Sequence, residues 1–207
     1  SETREAASWN LTNLVLESNS LGDSGLATLS WALSKGALRS LTRLNLTFNK
    51  IGQAGVVALA TSLRSGALPQ LEWLFLNGNL IDDAGITAFA SALEGTQGSP
   101  SRGATPGDGT WIGVPALPKL TQLWLHENQI GDAGVAALLK PLANGAALPN
   151  LGTLSLDHNQ IRRDGVAAIA AAVAAGALPK CKNLLLNDNP AGPRAQQQVA
   201  DAIARRK

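Results

Sequence analysis

The run Leu120-Thr-Gln-Leu123-Trp124-Leu125-His126-Glu127-Asn128-Gln-Ile130-Gly131-Asp132-Ala-Gly134 decides how this chain folds. Leucine stands at its first, fourth and sixth places. Asn follows at the ninth, an apolar residue at the eleventh and Gly at the fifteenth. The same pattern opens again at Leu11, Leu41, Leu71, Leu151 and Cys181, so the starts are 30, 30, 49, 31 and 30 residues apart. Four steps are one period, and the long one is that period plus an insertion of 19 residues. Repetition at this period sets the architecture before any local propensity does.

Each unit has two halves. In Leu41-Thr-Arg-Leu44-Asn-Leu46 the apolar residues alternate with polar ones, the period of a strand with one buried face. In Gly55-Val-Val-Ala-Leu59-Ala-Thr-Ser-Leu63 they recur every four residues, the stripe of a helix. Asp23, Asp83 and Asp132 precede these helical runs, where a carboxylate is expected to accept from the helix's own free N–H groups. Gly36, Gly66, Gly95, Gly145 and Gly176 close the helices with the residue that tolerates a left-handed cap. Pro69, Pro118, Pro149 and Pro179 then bar further helix.

The Asn at the ninth place recurs as Asn19, Asn49, Asn79, Asn128, Asn159 and Asn189. A polar residue between a buried strand and a buried helix must find hydrogen-bond partners. A ladder of stacked amides, each bonding main-chain groups of its own and the adjacent turn, meets that need. The pattern LxxLxLxxNxI, followed by GDxGxxALAxxL and GALPxL, resembles the leucine-rich repeat family, in particular its ribonuclease-inhibitor-like subfamily. The resemblance covers residues 11–203 apart from the insertion. It implies an α/β solenoid of about six repeats, a horseshoe with a curved parallel sheet on the concave side and α-helices on the convex side. The abundant cysteines of the ribonuclease inhibitor are lacking, so ribonuclease binding is not carried over. The subfamily also holds innate-immune sensor domains, GTPase-activating proteins of the Ran type and actin-capping modules, and no motif here selects among them.

The domain expectation is a flank or partial cap at 1–10, repeats over 11–189, and a capping helix within 190–207. The insertion lies within about 95–117. It is rich in Gly, Ser, Thr and Pro and holds Trp111 and Ile112, an aromatic anchor on a surface loop. No GxxxxGK[ST] occurs, so it is not a phosphate loop.

The net charge of +2 gives no reason to expect a specific nucleic-acid partner. The single cysteine, Cys181, occupies a leucine slot and reads as a buried structural thiol. With no internal disulfide possible, an intracellular setting, cytoplasmic or inside an organelle, is expected over a disulfide-stabilised extracellular one. No apolar run reaches transmembrane length. The chain starts at Ser1 and contains no Met, so a processed or trimmed protein is expected.

The third, fifth, seventh and eighth places of each unit face the open side of the sheet. Equivalent residues on neighbouring strands lie about 4.8 Å apart. One patch is then Phe48, Trp73, Phe75 and Trp124, and clustered exposed aromatics mark a binding surface. A second is His126, Glu127, Asp157 and His158, where His126 should neighbour Asp157 and Glu127 should neighbour His158. Cross-strand charge pairs explain this better than a metal site. No nucleophile elbow, CxxC or HExxH occurs, and an open arc offers no shielded cleft for acid–base work. No catalytic residue, metal or cofactor is therefore assigned. The expected function is a non-enzymatic scaffold that binds a protein partner through the concave sheet. The alternative is a subunit of a larger assembly, held by its edges, its insertion and the Ala-rich outer face of residues 167–177, and a second alternative, implied by the resemblance, is a GTPase-regulator-type or innate-immune-type repeat domain.

Overall fold

The computed structural model describes residues 10–94, 116–143 and 147–205. Residues 95–115, with Trp111 and Ile112, lie outside the described residues.

Six strand–helix units follow one another. They are β1 (Asn13–Val15) with α1 (Gly22–Ser34), β2 (Arg43–Asn45) with α2 (Gln53–Arg64), and β3 (Trp73–Phe75) with α3 (Asp83–Leu93). Then come β4 (Gln122–Trp124) with α4 (Asp132–Leu142), β5 (Thr153–Ser155) with α5 (Arg163–Ala174), and β6 (Asn183–Leu185) with α6 (Pro193–Ala204). The strands form one parallel sheet in chain order. Their register puts equal places of each unit side by side, as in Leu44↔Leu74, Leu74↔Leu123 and Leu123↔Leu154. These leucines are buried against the helical layer, together with Leu46, Leu76, Leu125 and Leu156. The residues on either side of the fourth place point to the other, uncovered face. The apolar core is thus a continuous row rather than a centre, and each unit touches only its neighbours.

The turns that link the layers are uniform. The eighth place of every unit is left-handed: Ser18, Phe48, Gly78, Glu127, His158 and Asp188 have φ between 50° and 64°. This bend takes the chain out of the strand and aims the ninth residue inward. Asn79 shows what it does there. Its Oδ1 accepts from the N–H groups of Asn49 and Ile51 in the preceding unit, both at 3.0 Å. Its Nδ2 donates to Leu46 O, Leu76 O and Asn77 O at 2.9–3.2 Å. Asn128, Asn159 and Asn189 repeat the pattern, each accepting from the eleventh-place N–H of the unit before. Among the described residues no unit precedes that of Asn19, which is exposed and whose side chain donates to Glu17 O alone.

The helix starts differ from the sequence expectation. Asp23, Asp83 and Asp132 do not accept from their own helices. Asp23 Oδ1 accepts from Gly52 N at 2.7 Å, and Asp83 Oδ1 from Gly131 N at 2.6 Å. Asp132 Oδ1 accepts from Arg162 N at 2.7 Å and Gly165 N at 3.1 Å. Each carboxylate therefore caps the helix of the next unit. The reason is position: Asp83 and Asp132 are the first residues of α3 and α4, inside the helix rather than at the N-cap. Unit two carries Gln53 at this place, and α3 is capped instead by its own Asp82, which accepts from Gly85 N at 2.8 Å. Asp83→Ala should lower stability by about 1 kcal/mol. A urea titration checks it, and a variant as stable as the parent would show that the inter-unit bond contributes nothing.

Gly36, Gly66 and Gly176 have φ of 88°, 79° and 100°, as left-handed helix ends require. Beyond them Leu38, Leu68, Leu148 and Leu178 also adopt positive φ, three of them directly before Pro. Leu68, Leu148 and Leu178 are 1% exposed, so burial of the side chain holds a backbone that a leucine does not favour. At the far end, Gln196 Nε2 donates to Leu186 O at 2.7 Å, and Val199 of α6 is buried. At the near end Leu11, Val15 and Trp31 are exposed among the described residues.

Candidate functional site

The uncovered sheet face presents side chains from the third, fifth, seventh and eighth places. In units two to four, large residues at these places fall in contact. The Trp73 and Phe75 rings meet edge to face at 6.4 Å. Phe75 pairs with Trp124 across β3 and β4, and their rings lie nearly parallel at 6.0 Å. Trp124 meets His126 edge to face at 5.9 Å. Both contact geometries suit the ring quadrupoles. Trp124 Nε1 donates to Gln122 Oε1 at 3.1 Å, which fixes the indole. All four rings are partly exposed.

Arg43 extends this row and was not singled out from the sequence. Its guanidinium carbon sits 4.8 Å from the centre of the Trp73 ring and 4.9 Å from that of Phe75. Such contacts favour a cation by about 0.5–2 kcal/mol, depending on solvation. The signal was available: Arg43 pairs with Trp73 by the same register that brought Trp73, Phe75 and Trp124 together.

Phe48 lies apart from the row. It is exposed at the left-handed turn after β2, and its ring covers Gly78, where a side-chain carbon would collide with it. Gly78 is thus the neighbour that makes room for Phe48.

The polar patch is also wired differently from the simple cross-strand pairs expected. His126 Nδ1 lies 3.4 Å from Ser155 Oγ, and Ser155 Oγ donates to Asp157 Oδ2 at 2.8 Å. The imidazole therefore reaches Asp157 through Ser155, not directly. Asp157 Oδ1 accepts from Asn187 N and Asn187 Nδ2 at 2.7 and 2.9 Å. His158 Nε2 lies 3.2 Å from Asp188 Oδ2, one rung further on, rather than against Glu127. His158 has an equal-place neighbour on either side, Glu127 and Asp188, and it is Asp188 that it pairs with. Glu127 is left exposed.

Ser, His and Asp in one chain of contacts invite comparison with a nucleophile. Here the hydroxyl stands between carboxylate and imidazole, is fully buried, and donates its hydrogen bond to the carboxylate. Activation needs the imidazole in the middle, so this order organises the surface and does not make a nucleophile. Among the described residues no group of His, Cys, Asp and Glu is arranged to hold a metal. Asn45 is buried and its Nδ2 donates to Glu17 Oε2 at 2.9 Å.

A family model described as "Leucine Rich repeat" matches residues 8–30, 37–60, 116–139 and 147–170. The chain belongs to the leucine-rich repeat family. Two solved structures match the chain. Leiomodin-1 actin-binding site 2 is 15% identical, with 85% of this chain and 86% of that one covered and a TM-score of 0.52. An internalin from Listeria monocytogenes is 19% identical, with 92% of this chain and 46% of that one covered and a TM-score of 0.42. No curated protein matches the chain. The family match carries the family at large and does not single out its ribonuclease-inhibitor-like branch. In leucine-rich repeat terms the ring row lies on the concave sheet and the helices form the convex side. No helix among the described residues is long and apolar enough to cross a membrane.

Proposed function

We infer that this leucine-rich repeat chain is a protein-binding scaffold that engages its partner through the concave sheet. The observation that carries this reading is the continuous row Arg43, Trp73, Phe75, Trp124 and His126, partly exposed on a face that nothing among the described residues covers. Stacked repeats generate such an extended concave surface. Aromatic and Arg side chains are the residues that most often dominate a protein interface. The polar chain from His126 to Asn187 borders the row, and Glu127 and His158 stand on its rim. The leiomodin-1 structure is an actin-binding site. It is a case of this fold engaging a protein, and its likeness carries the fold and not the partner.

The test is capture of partner proteins from the native source by the full chain and by Trp73→Ala and Trp124→Ala variants. Truncating one hot-spot Trp should weaken binding at least tenfold, about 1.4 kcal/mol or more, while circular dichroism stays unchanged. Undiminished capture by both variants would sink the concave-face reading. If deletion of residues 96–114 abolished capture instead, the inserted segment with Trp111 and Ile112 would be the docking element.

A further inference from the structure

The concave row is not uniform along its length: it is a diagonal with a cation at one end and carboxylates at the other. It runs from Arg43 in unit two through Trp73, Phe75, Trp124 and His126 to Asp157 in unit five, and each member touches the next directly or through Ser155.

The two ends carry opposite unmet demands. Among the described residues no carboxylate forms an ion pair with Arg43, and its Nε is buried without a hydrogen-bond partner. The two rings hold the guanidinium in place, so its fork is already oriented for an incoming carboxylate. At the other end Asp157 is fixed by Ser155 and Asn187, all three neutral donors, so its charge is not balanced. Glu127 is exposed beside it, and Asp188 lies on the next rung with His158. Between the ends, the exposed ring faces suit apolar, aromatic or proline side chains.

Resting on the concave-face reading above, we propose that this diagonal takes an extended segment of a partner protein that carries a carboxylate side chain at one end and a cationic one at the other. Arg43 receives the carboxylate, the Trp73–Phe75–Trp124 rings pack the middle, and Asp157 with Glu127 receives the cation. The length follows from sheet geometry. Three rungs of about 4.8 Å and four residues of about 3.3 Å span a diagonal of about 20 Å. An extended chain covers that distance in about six residues. A second copy of this chain does not fit, because two concave faces cannot touch along their length. A nucleic acid does not fit either, because its phosphates would meet Asp157 and Glu127.

The experiment is fluorescence anisotropy of the full chain with labelled synthetic heptapeptides. The first is acetyl-Asp-Pro-Leu-Pro-Phe-Pro-Lys-amide, the second has Asp and Lys exchanged, and the third carries Asn and Gln in their places. One of the two charged orders should bind at least tenfold more tightly than the neutral peptide. Arg43→Gln should remove the advantage given by Asp and leave that given by Lys. Arg43→Glu should reverse it, so that a peptide with Lys at both ends now binds better than the original. Equal binding of charged and neutral peptides, with Trp124→Ala still weakening all of them, would overturn the charge selection while leaving the concave face as the binding surface. No binding of either charged order at millimolar concentration would overturn the proposal outright. Binding unaffected by both Arg43→Gln and Trp124→Ala would count against the concave reading itself.

Discussion

Asn79→Ala is expected to cost about 4 kcal/mol of folding stability, a large part of the 5–15 kcal/mol that domains typically have. The substitution removes one side chain and orphans three main-chain groups. Asn49 N and Ile51 N lose their acceptor and Leu46 O its donor, while Leu76 O keeps Asn128 Nδ2 and Asn77 O keeps Phe48 N. Asn79 is 5% exposed, so water does not readily replace the lost partners. Each buried group left unsatisfied costs about 1–3 kcal/mol, and partial relaxation keeps the total below the sum. Asn19→Ala is the control. Asn19 is exposed and donates only to Glu17 O among the described residues, so its loss should cost under about 1 kcal/mol. Urea unfolding of the two variants measures the difference, and hydrogen exchange at the Asn49 and Ile51 amides localises it. Equal costs at the two positions would refute the ladder as the source of stability.

Gly165→Ala should cost about 3 kcal/mol, and through a neighbour rather than through its own backbone. A Cβ at Gly165 would overlap Asp132 Oδ1 and come within 2.8 Å of Ile161 Cγ2. Asp132 Oδ1 holds both Arg162 N and Gly165 N, so pushing it aside removes the inter-unit cap as well. Overpacking at so close an approach contributes about 3 kcal/mol and the lost cap about 1, and the helix propensity of Ala over Gly offsets about 1. Gly85→Ala makes the contrast. The unit before it has Gln53 in place of Asp, and the nearest atom to a Cβ there is Ile81 Cγ2 at 3.2 Å. Ala favours a helix over Gly by about 1 kcal/mol, so Gly85→Ala should be close to neutral. In the Asp132→Ala background, Gly165→Ala should cost clearly less than in the parent. Thermal or urea denaturation of the four chains decides, and strict additivity of the two changes would rule out the carboxylate as the obstacle.

The same glycine shows why one reading of the sequence was incomplete. The fifteenth-place Gly suggests close packing, and the Asp two places earlier suggests a cap. That the Asp of one unit and the Gly of the next are a single device depends on which helices stand side by side. The Trp–Phe–Trp row was legible because strand register follows from equal spacing, and the same logic would have included Arg43. The link from His126 through Ser155 to Asp157, and the turn of His158 toward Asp188, were not legible. They depend on which of several adjacent partners each side chain turns to, and a pattern of residue types carries no side-chain direction.

By itself the sequence determined the strand–helix period, the parallel order, the buried leucines and the Asn at every turn. Short-range periodicity dictates these, because each unit can bury its apolar stripe only against copies of itself. Tertiary structure alone decided which partner each polar side chain takes. A hydrogen bond depends on distance and direction across neighbouring units, whereas apolar burial needs only the right face, so hydrophobic spacing can be read along the chain and polar pairing cannot.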